Sequence, residues 1–253
     1  MINVLVNGCN GRMGQEVIKQ LDNYPELFLS CGFDKFDNGQ NTFNVYQNIS
    51  DIADPVDVII DFSVPESTLN ILEYALKIHK PIVIATTGFS DDELQKIKEY
   101  SKEIPIFQSS NMSYDINLMC KLLKNLAPLL SNTDIEITET HHNRKIDAPS
   151  GTAILLANSI NEALDNKLNY NFNRFDTKQK RQKNEIGFSS IRGGNIVGEH
   201  SVQFFGEYET FEIKHTTYSR TVFADGALKA CEFIVKQPTG FYNMDDLINI
   251  NKM

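Results

Sequence analysis

Five short apolar runs recur between helical patterns over the first 108 residues, and this alternation limits the fold more than any other feature. The runs are INVLV (2–6), LFLSCGF (27–33), VDVIIDF (56–62), PIVIA (81–85) and IPIFQ (104–108). Between them Met13, Val17 and Leu21 repeat at helical spacing, as do Leu69, Leu72 and Leu76. Ser63 with Glu66 and Ser90 with Glu93 each have the spacing of a capping box, and Pro65 suits a first helical turn. Strands that are apolar almost throughout, alternating with helices, predict a parallel sheet covered on both faces.

Beyond residue 112 the pattern changes. A helix around 115–130 leads to a strand at 135–140, and a second helix carries Ala153, Leu156, Ala157, Ile160 and Leu164 on one face. The polar stretch 166–185 reads as a mobile surface loop. Three strand-like runs follow at 186–192, 196–205 and 209–217, joined by Gly-rich turns that predict an antiparallel or mixed sheet, and the chain end returns to helix. The fold class is therefore α/β, a nucleotide-binding half with a doubly wound parallel sheet, joined to an α+β half.

A net charge of −9 argues against nucleic acid and anionic membranes as partners. An anionic substrate would then need a local basic pocket. The four cysteines, Cys9, Cys31, Cys120 and Cys231, lack CxxC or metal spacing, which fits a reducing compartment without disulfides or zinc. The chain opens on the strand-like MINVLVNG, with no leader or membrane span in view, so a cytoplasmic location is expected.

VNGCNGRMG (6–14) lies between the first strand and first helix, with Gly8, Gly11 and Gly14 spaced G-x-x-G-x-x-G. Such a loop lets backbone N–H groups approach a pyrophosphate at a helix N-terminus. Asp34 closes the second strand 20 residues beyond Gly14, where a carboxylate can bind an adenosine ribose. The plainer alternative is a structural turn with a surface aspartate. Lys35 and Arg12 could hold a 2′-phosphate, so NADH and NADPH are both expected to work, NADH at least as well. ATTGF (85–89) and SSNMS (109–113) follow strands four and five, where ligands of such sheets bind.

The densest chemistry is HHNRKIDAPSGTA (141–153). Adjacent His141 and His142 on a strand end point to opposite faces and cannot readily chelate one metal. Ser150 is not in a G-x-S-x-G elbow, and Gly151 is not followed by the Lys of a phosphate loop. An anion site fits better. Pro149-Ser150-Gly151-Thr152 precedes an amphipathic helix, so its N–H groups and the Thr152 hydroxyl can grip a carboxylate, with Lys145 and a histidine adding charge or a proton. A helix cap preceded by a solvated basic turn is the alternative.

The run EITETHHNRKIDAPSGTA (136–153) resembles the signature of the dihydrodipicolinate reductase family. GRMG (11–14), IDFSVPESTL (60–69), TTGF (86–89), IRGGNIVGEH (191–200), SRTVFADGA (219–227) and TGFYNMDDL extend the likeness over most of the chain. The resemblance implies a Rossmann-type dinucleotide-binding domain from residues 1–112 and 220–253, around a substrate-binding and oligomerisation domain at 113–219. It also implies a homotetramer and reduction of a cyclic imine dicarboxylate by NADH or NADPH in diaminopimelate and lysine biosynthesis. By position, His141 would be the general acid and Lys145 its partner, with His142, Gly151 and Thr152 on a substrate carboxylate. Cofactor contacts would come from Gly8, Asn10, Gly11, Arg12, Met13, Asp34, Lys35, Ala85, Thr86, Thr87, Ser109, Ser110, Asn111 and Met112; no metal is implied. Arg220 would mark the return to the first domain.

Three departures stand out: Ala85 replaces the family's usual glycine, Ser110 its alanine and Asp115 its glycine. The stretch from Lys35 to Ser50 is also short. A homoserine- or semialdehyde-type dehydrogenase is less consistent, since no cysteine is set beside a histidine. A non-catalytic dinucleotide sensor would have no use for His141 and Lys145.

Overall fold

A computed structural model describes residues 1–37, 39–175 and 179–248. The chain divides into two compact units, Met1–Tyr114 with Arg220–Met253, and Asp115–Ser219.

In the first unit the elements run β1 (Ile2–Asn7), α1 (Arg12–Gln20), β2 (Leu27–Phe33), β3 (Val45–Tyr46), β4 (Val58–Asp61), α2 (Pro65–Ile78), β5 (Ile82–Ile84), α3 (Asp91–Tyr100) and β6 (Pro105–Gln108). All strands of its sheet are parallel, and the order is completed by a late strand: β12-β6-β5-β4-β1-β2-β3. That strand, β12, comes after the central elements α4 (Tyr114–Leu129), β7 (Asp134–His141), α5 (Gly151–Ala163), β8 (Asn169–Asn171), β9 (Glu185–Arg192), β10 (Gly198–Phe205), β11 (Thr210–Thr217) and the returning α6 (Thr221–Ile234). β12 itself is Gly240–Tyr242, and α7 (Met244–Leu247) follows. The period-two pattern fills both faces. Val4, Val6, Val58, Ile60 and Val83 pack in one core with α6 residues Ala227, Leu228 and Cys231. Leu5, Ile59, Ile82 and Ile84 pack in the other with Ile71 and Leu72 of α2. Each Val, Leu or Ile side chain so buried contributes roughly 1.5–3 kcal/mol of apolar transfer.

α3 starts in the expected box: Ser90 Oγ accepts from Glu93 N at 3.3 Å and Glu93 Oε2 accepts from Ser90 N at 2.7 Å. The box expected at Ser63 is absent. The N-cap of α2 is Val64, with no side-chain cap bond. Ser63 Oγ is engaged elsewhere, donating to the buried Asp61 Oδ1 at 2.5 Å.

The second unit holds a mixed sheet ordered β11-β10-β7-β9-β8. β9 runs parallel to β7, and β10 antiparallel to it. α4 and α5 cover one face, where Ile116, Leu123, Ala153, Leu156 and Ile160 meet Ile135, Ile137 and Val202. The stretch expected to be a mobile loop is partly structured: 169–171 forms the parallel edge strand β8. Arg181 then ties this segment to the sheet, bonding Asp134 Oδ1 at 2.9 Å, Ile135 O at 3.0 Å and Glu185 O at 2.7 Å. A polar composition concealed these anchors; residues 176–178 of that stretch lie outside the described ones. The short strands β3 and β12 are likewise additions, too brief for alternation to reveal. Among the described residues no helix is long and apolar enough to cross a membrane.

Candidate active site

In the first unit, the loops after β1, β2, β4, β5 and β6 all open at the carboxyl end of one parallel sheet. The glycine loop is shaped by close approach. Gly8 has φ +77°, and a Cβ there would stand 2.6 Å from the Phe62 carbonyl oxygen. A Cβ at Gly14 would lie 2.2 Å from Gly8 O, so α1 can seat against the loop only with glycine. Gly11 N donates to Gly8 O at 3.0 Å and Gly11 caps α1, while Arg12, the first residue of that helix, is exposed.

Asp34 joins the second strand to this loop: its Oδ2 accepts from Asn10 N at 3.0 Å and its Oδ1 from Phe36 N at 3.2 Å. Lys35 turns to Glu66, its Nζ 3.2 Å from Oε2, with both groups largely in solvent. Thr86, Thr87, Gly88, Phe89, Ser109 and Ser110 line a cleft of 280 Å³. Thr86 Oγ1 accepts from Ser63 N at 2.9 Å, while Ser109 Oγ donates to Asn111 O at 2.8 Å, which rigidifies the loops around Ala85 and Asn111. Met13 packs against the core and Met112 lies within it, so their side chains serve as walls rather than ligands.

Asp61, not among the residues expected at the site, is fully buried at the end of β4. It accepts from Asn7 Nδ2 at 2.7 Å, Ser63 Oγ at 2.5 Å and Thr68 Oγ1 at 2.6 Å. Burial raises its carboxyl pKa and these hydrogen bonds oppose the rise. Asp61 ties the end of β1, the loop after β4 and the first turn of α2 together. A polar residue closing a run as apolar as VDVIID was the available signal.

In the second unit the chemistry emerges from strand register. On the helix-covered face, β7 presents Ile135, Ile137, Glu139 and His141 in turn. Its neighbours follow the same order: Ile186, Phe188, Ser190 and Arg192 on β9; Phe204, Val202, His200 and Gly198 on β10; Phe211, Ile213, His215 and Thr217 on β11. Two apolar rows therefore give way to two polar rows in all four strands at the same level.

Glu139, 1% exposed, is the hub of these polar rows. Arg192 grips it with two bonds, Nη1 to Oε2 at 2.8 Å and Nη2 to Oε1 at 2.7 Å. His141 Nδ1 lies 2.5 Å from Oε2, and Ser150 N donates to Oε1 at 3.2 Å. Burial would raise the Glu139 pKa, but the bonds from His141 and Arg192 outweigh it and hold the group well below the usual carboxylate range. A Cβ at Gly198 would sit 3.2 Å from His141 Nε2, so any side chain at this position would crowd that nitrogen.

Ser150 caps α5, its Oγ accepting from Ala153 N at 3.1 Å, and lies 2.9 Å from His200 Nε2. Burial, reinforced by repulsion from His141, pushes the pKa of His200 down to about 3, so this ring is neutral. Gly151 and Thr152 form the first turn of α5, directly after Ser150. Lys145 Nζ contacts Asp147 Oδ1 at 2.8 Å, and Asp147 O accepts from Arg192 Nη2 at 2.7 Å. His141, Lys145, Gly151 and Thr152 thus belong to one connected cluster, with His142 directly following His141. Glu139, Arg192 and His200 were missed as site residues, with polar side chains in the buried phase of β7, β9 and β10 as the signal, whereas the cap at Ser150 is the alternative weighed for the turn before α5. No group of three His, Cys, Asp or Glu among the described residues is placed to hold a metal ion.

Residues 2–112 match the family described as dihydrodipicolinate reductase, N-terminus, and 115–248 its C-terminus. The chain belongs to the dihydrodipicolinate reductase family. The 4-hydroxy-tetrahydrodipicolinate reductase of Clostridium novyi is 46% identical over 98% of both chains. That of Caldanaerobacter subterraneus is also 46% identical, again over 98% of each. The solved dipicolinate-bound dihydrodipicolinate reductase of Paenisporosarcina aligns with a TM-score of 0.82 at 25% identity, covering 98% of this chain and 100% of that one. Membership covers both halves, the parallel sheet of the first unit and the mixed sheet of the second.

Proposed function

We propose that this chain is a cytoplasmic reductase that converts 4-hydroxy-tetrahydrodipicolinate to tetrahydrodipicolinate with NADH or NADPH, in diaminopimelate and lysine biosynthesis. The observation that carries the reading is His141, backed by a buried carboxylate and linked through it to the N-terminus of α5, in a chain of this family. A planar dicarboxylate, like the dipicolinate held by the Paenisporosarcina relative, suits such a pairing of proton donor and anion grip.

A bound dinucleotide would supply the hydride. Gly8, Asn10, Gly11, Arg12 and Met13 would cradle its pyrophosphate, on a loop that glycine at 8 and 14 lets pack tightly against the β4 end and against α1. Asp34, with Lys35 beside it, would meet the adenosine ribose. Ala85, Thr86, Thr87, Ser109, Ser110, Asn111 and Met112 would flank the nicotinamide. His141 would give its Nε2 proton to the reduced ring, Lys145 would steady developing charge, and His142, Gly151 and Thr152 would bind carboxylate. The face of the mixed sheet opposite the helices leaves Ile191 50% and Phe205 42% exposed, which supports a homotetramer assembled through this surface.

The test is to generate the unstable substrate in situ from pyruvate and aspartate semialdehyde with a synthase, then follow nicotinamide absorbance. Oxidation that depends on both precursors is expected. Its absence with either cofactor would overturn the proposal.

A further inference from the structure

The contacts of Glu139 with Arg192, His141 and Ser150 do more than neutralise a buried charge. Arg192 alone would do that, through a bidentate pair whose oxygens both remain open to further donors. The contacts with His141 and Ser150 go to the two parts of the cluster that would face substrate: Oε2 to Nδ1 of His141 and Oε1 to the backbone N–H of Ser150, at the start of α5. A carboxylate accepts on both oxygens and donates on neither. It therefore requires His141 to carry its proton on Nδ1 when neutral, which leaves Nε2, uncrowded by any side chain at Gly198, as the nitrogen for exchange with substrate.

We infer that Glu139, clamped by Arg192, is a positioning residue that fixes both the ring orientation of His141 and the placement of the α5 N-terminus. One rigid group thereby sets the proton donor and the carboxylate grip in common register. The inference rests on the acid role proposed for His141. It adds that Arg192 acts through Glu139 as well as through its bond to Asp147 O, and that His200 acts through Ser150 by steadying the same cap from the neighbouring strand.

The closest isostere separates this role from mere stability. In Glu139→Gln, the Ser150 N–H still needs an acceptor, so the amide oxygen stays on that side and the amide NH₂ turns toward His141. A donor facing Nδ1 forces the opposite tautomer and disfavours the doubly protonated ring. Glu139→Gln also leaves Arg192 buried without a counter-charge, which could unfold the unit. The double variant E139Q/R192Q removes that charge and is the decisive protein.

Two readouts are taken on the full chain. Long-range proton–nitrogen NMR correlations on histidine-labelled protein report which nitrogen of neutral His141 bears hydrogen. The expected result is Nδ1 in the wild type and a shift to Nε2 in E139Q/R192Q. The double variant should recover the thermal stability lost in E139Q, while kcat stays at least about tenfold down, as for other groups that orient a functional imidazole. Recovery of kcat together with stability, or an unchanged tautomer, would overturn the inference. Measuring His141→Ala in parallel keeps the two claims apart: full kcat in that variant sinks the acid role itself. A large loss there, beside full kcat in the double variant, sinks only the positioning role.

Discussion

The two ends of this molecule's chemistry are built from opposite materials. The glycine loop is contiguous in sequence and works by what it lacks: Gly8 and Gly14 keep Cβ atoms out of spaces where carbonyl oxygens already sit 2.2 to 2.6 Å away. The His141 cluster is assembled from three strands and a helix cap, and works by what it carries. His141 and Arg192 lie 51 positions apart, yet strand pairing places them side by side. Backbone-built sites are legible as motifs; side-chain sites of this kind become legible only with register. The two should also fail differently, one through conformation and affinity, the other through rate.

The largest effect should follow His141→Ala. Loss of a general acid typically costs about 10²–10⁴ in rate, so kcat should fall by at least about a hundredfold. Affinity for NADH, titrated by fluorescence, should be unchanged, because the ring belongs to the second unit. A parallel collapse in cofactor affinity would erase the contrast between the two ends.

The converse is Gly8→Ala. An L-residue at φ +77° costs about 1–2 kcal/mol, and overlap with the Phe62 carbonyl adds roughly 1–3 kcal/mol as the loop moves. Melting temperature should drop, and the KM for the nicotinamide cofactor should rise roughly tenfold or more. kcat at saturating cofactor should stay within a few-fold. A kcat loss matching that of His141→Ala would show that the loop is coupled to proton transfer.

These expectations also mark what a single sequence reveals. The parallel sheet, the glycine loop, the Ser90–Glu93 box and the mixed second sheet were all readable, because each rests on local spacing or a period of two. The Ser63–Glu66 pattern misled for an equally physical reason. A hydroxyl three residues before a glutamate can cap a helix only if nothing closer claims it, and Asp61 does. Glu139 stood in the recognisable run without an assigned role. Its importance depends on Arg192 and Ser150, which are brought to it by pairing and by the turn before α5. Asp61 and His200 were hidden in the same way, since burial is what makes them informative.

His200 gives a test by pH. Its folded pKa lies near 3 against an ordinary 6.5, so between these values the unfolded chain binds a proton that the folded one does not. Stability should therefore fall as pH drops from about 6.5, by up to about 1.4 kcal/mol per pH unit from this group. Urea midpoints of the wild type and His200→Asn, compared at pH 7.5 and 5.5, should converge as pH falls, because the variant lacks this slope. Equal slopes would mean that the ring is not held neutral, and the cap at Ser150 would lose its stated support.

The smallest effect should come from Lys35→Ala. Lys35 is 58% exposed and its partner Glu66 75%, and such surface pairs are worth about 0–1 kcal/mol. The proposed adenosine contact at Lys35 therefore rests on a solvated side chain, whereas the proposed phosphate contact at the glycine loop rests on packed backbone. kcat/KM with NADPH should fall by no more than about tenfold, as for one lost phosphate contact, and the NADH value should hold or improve once the cation beside Asp34 is gone. A hundredfold selective loss of NADPH activity would instead make Lys35 the dominant phosphate ligand. It would also give the glycine-loop end a side-chain determinant as decisive as any in the His141 cluster.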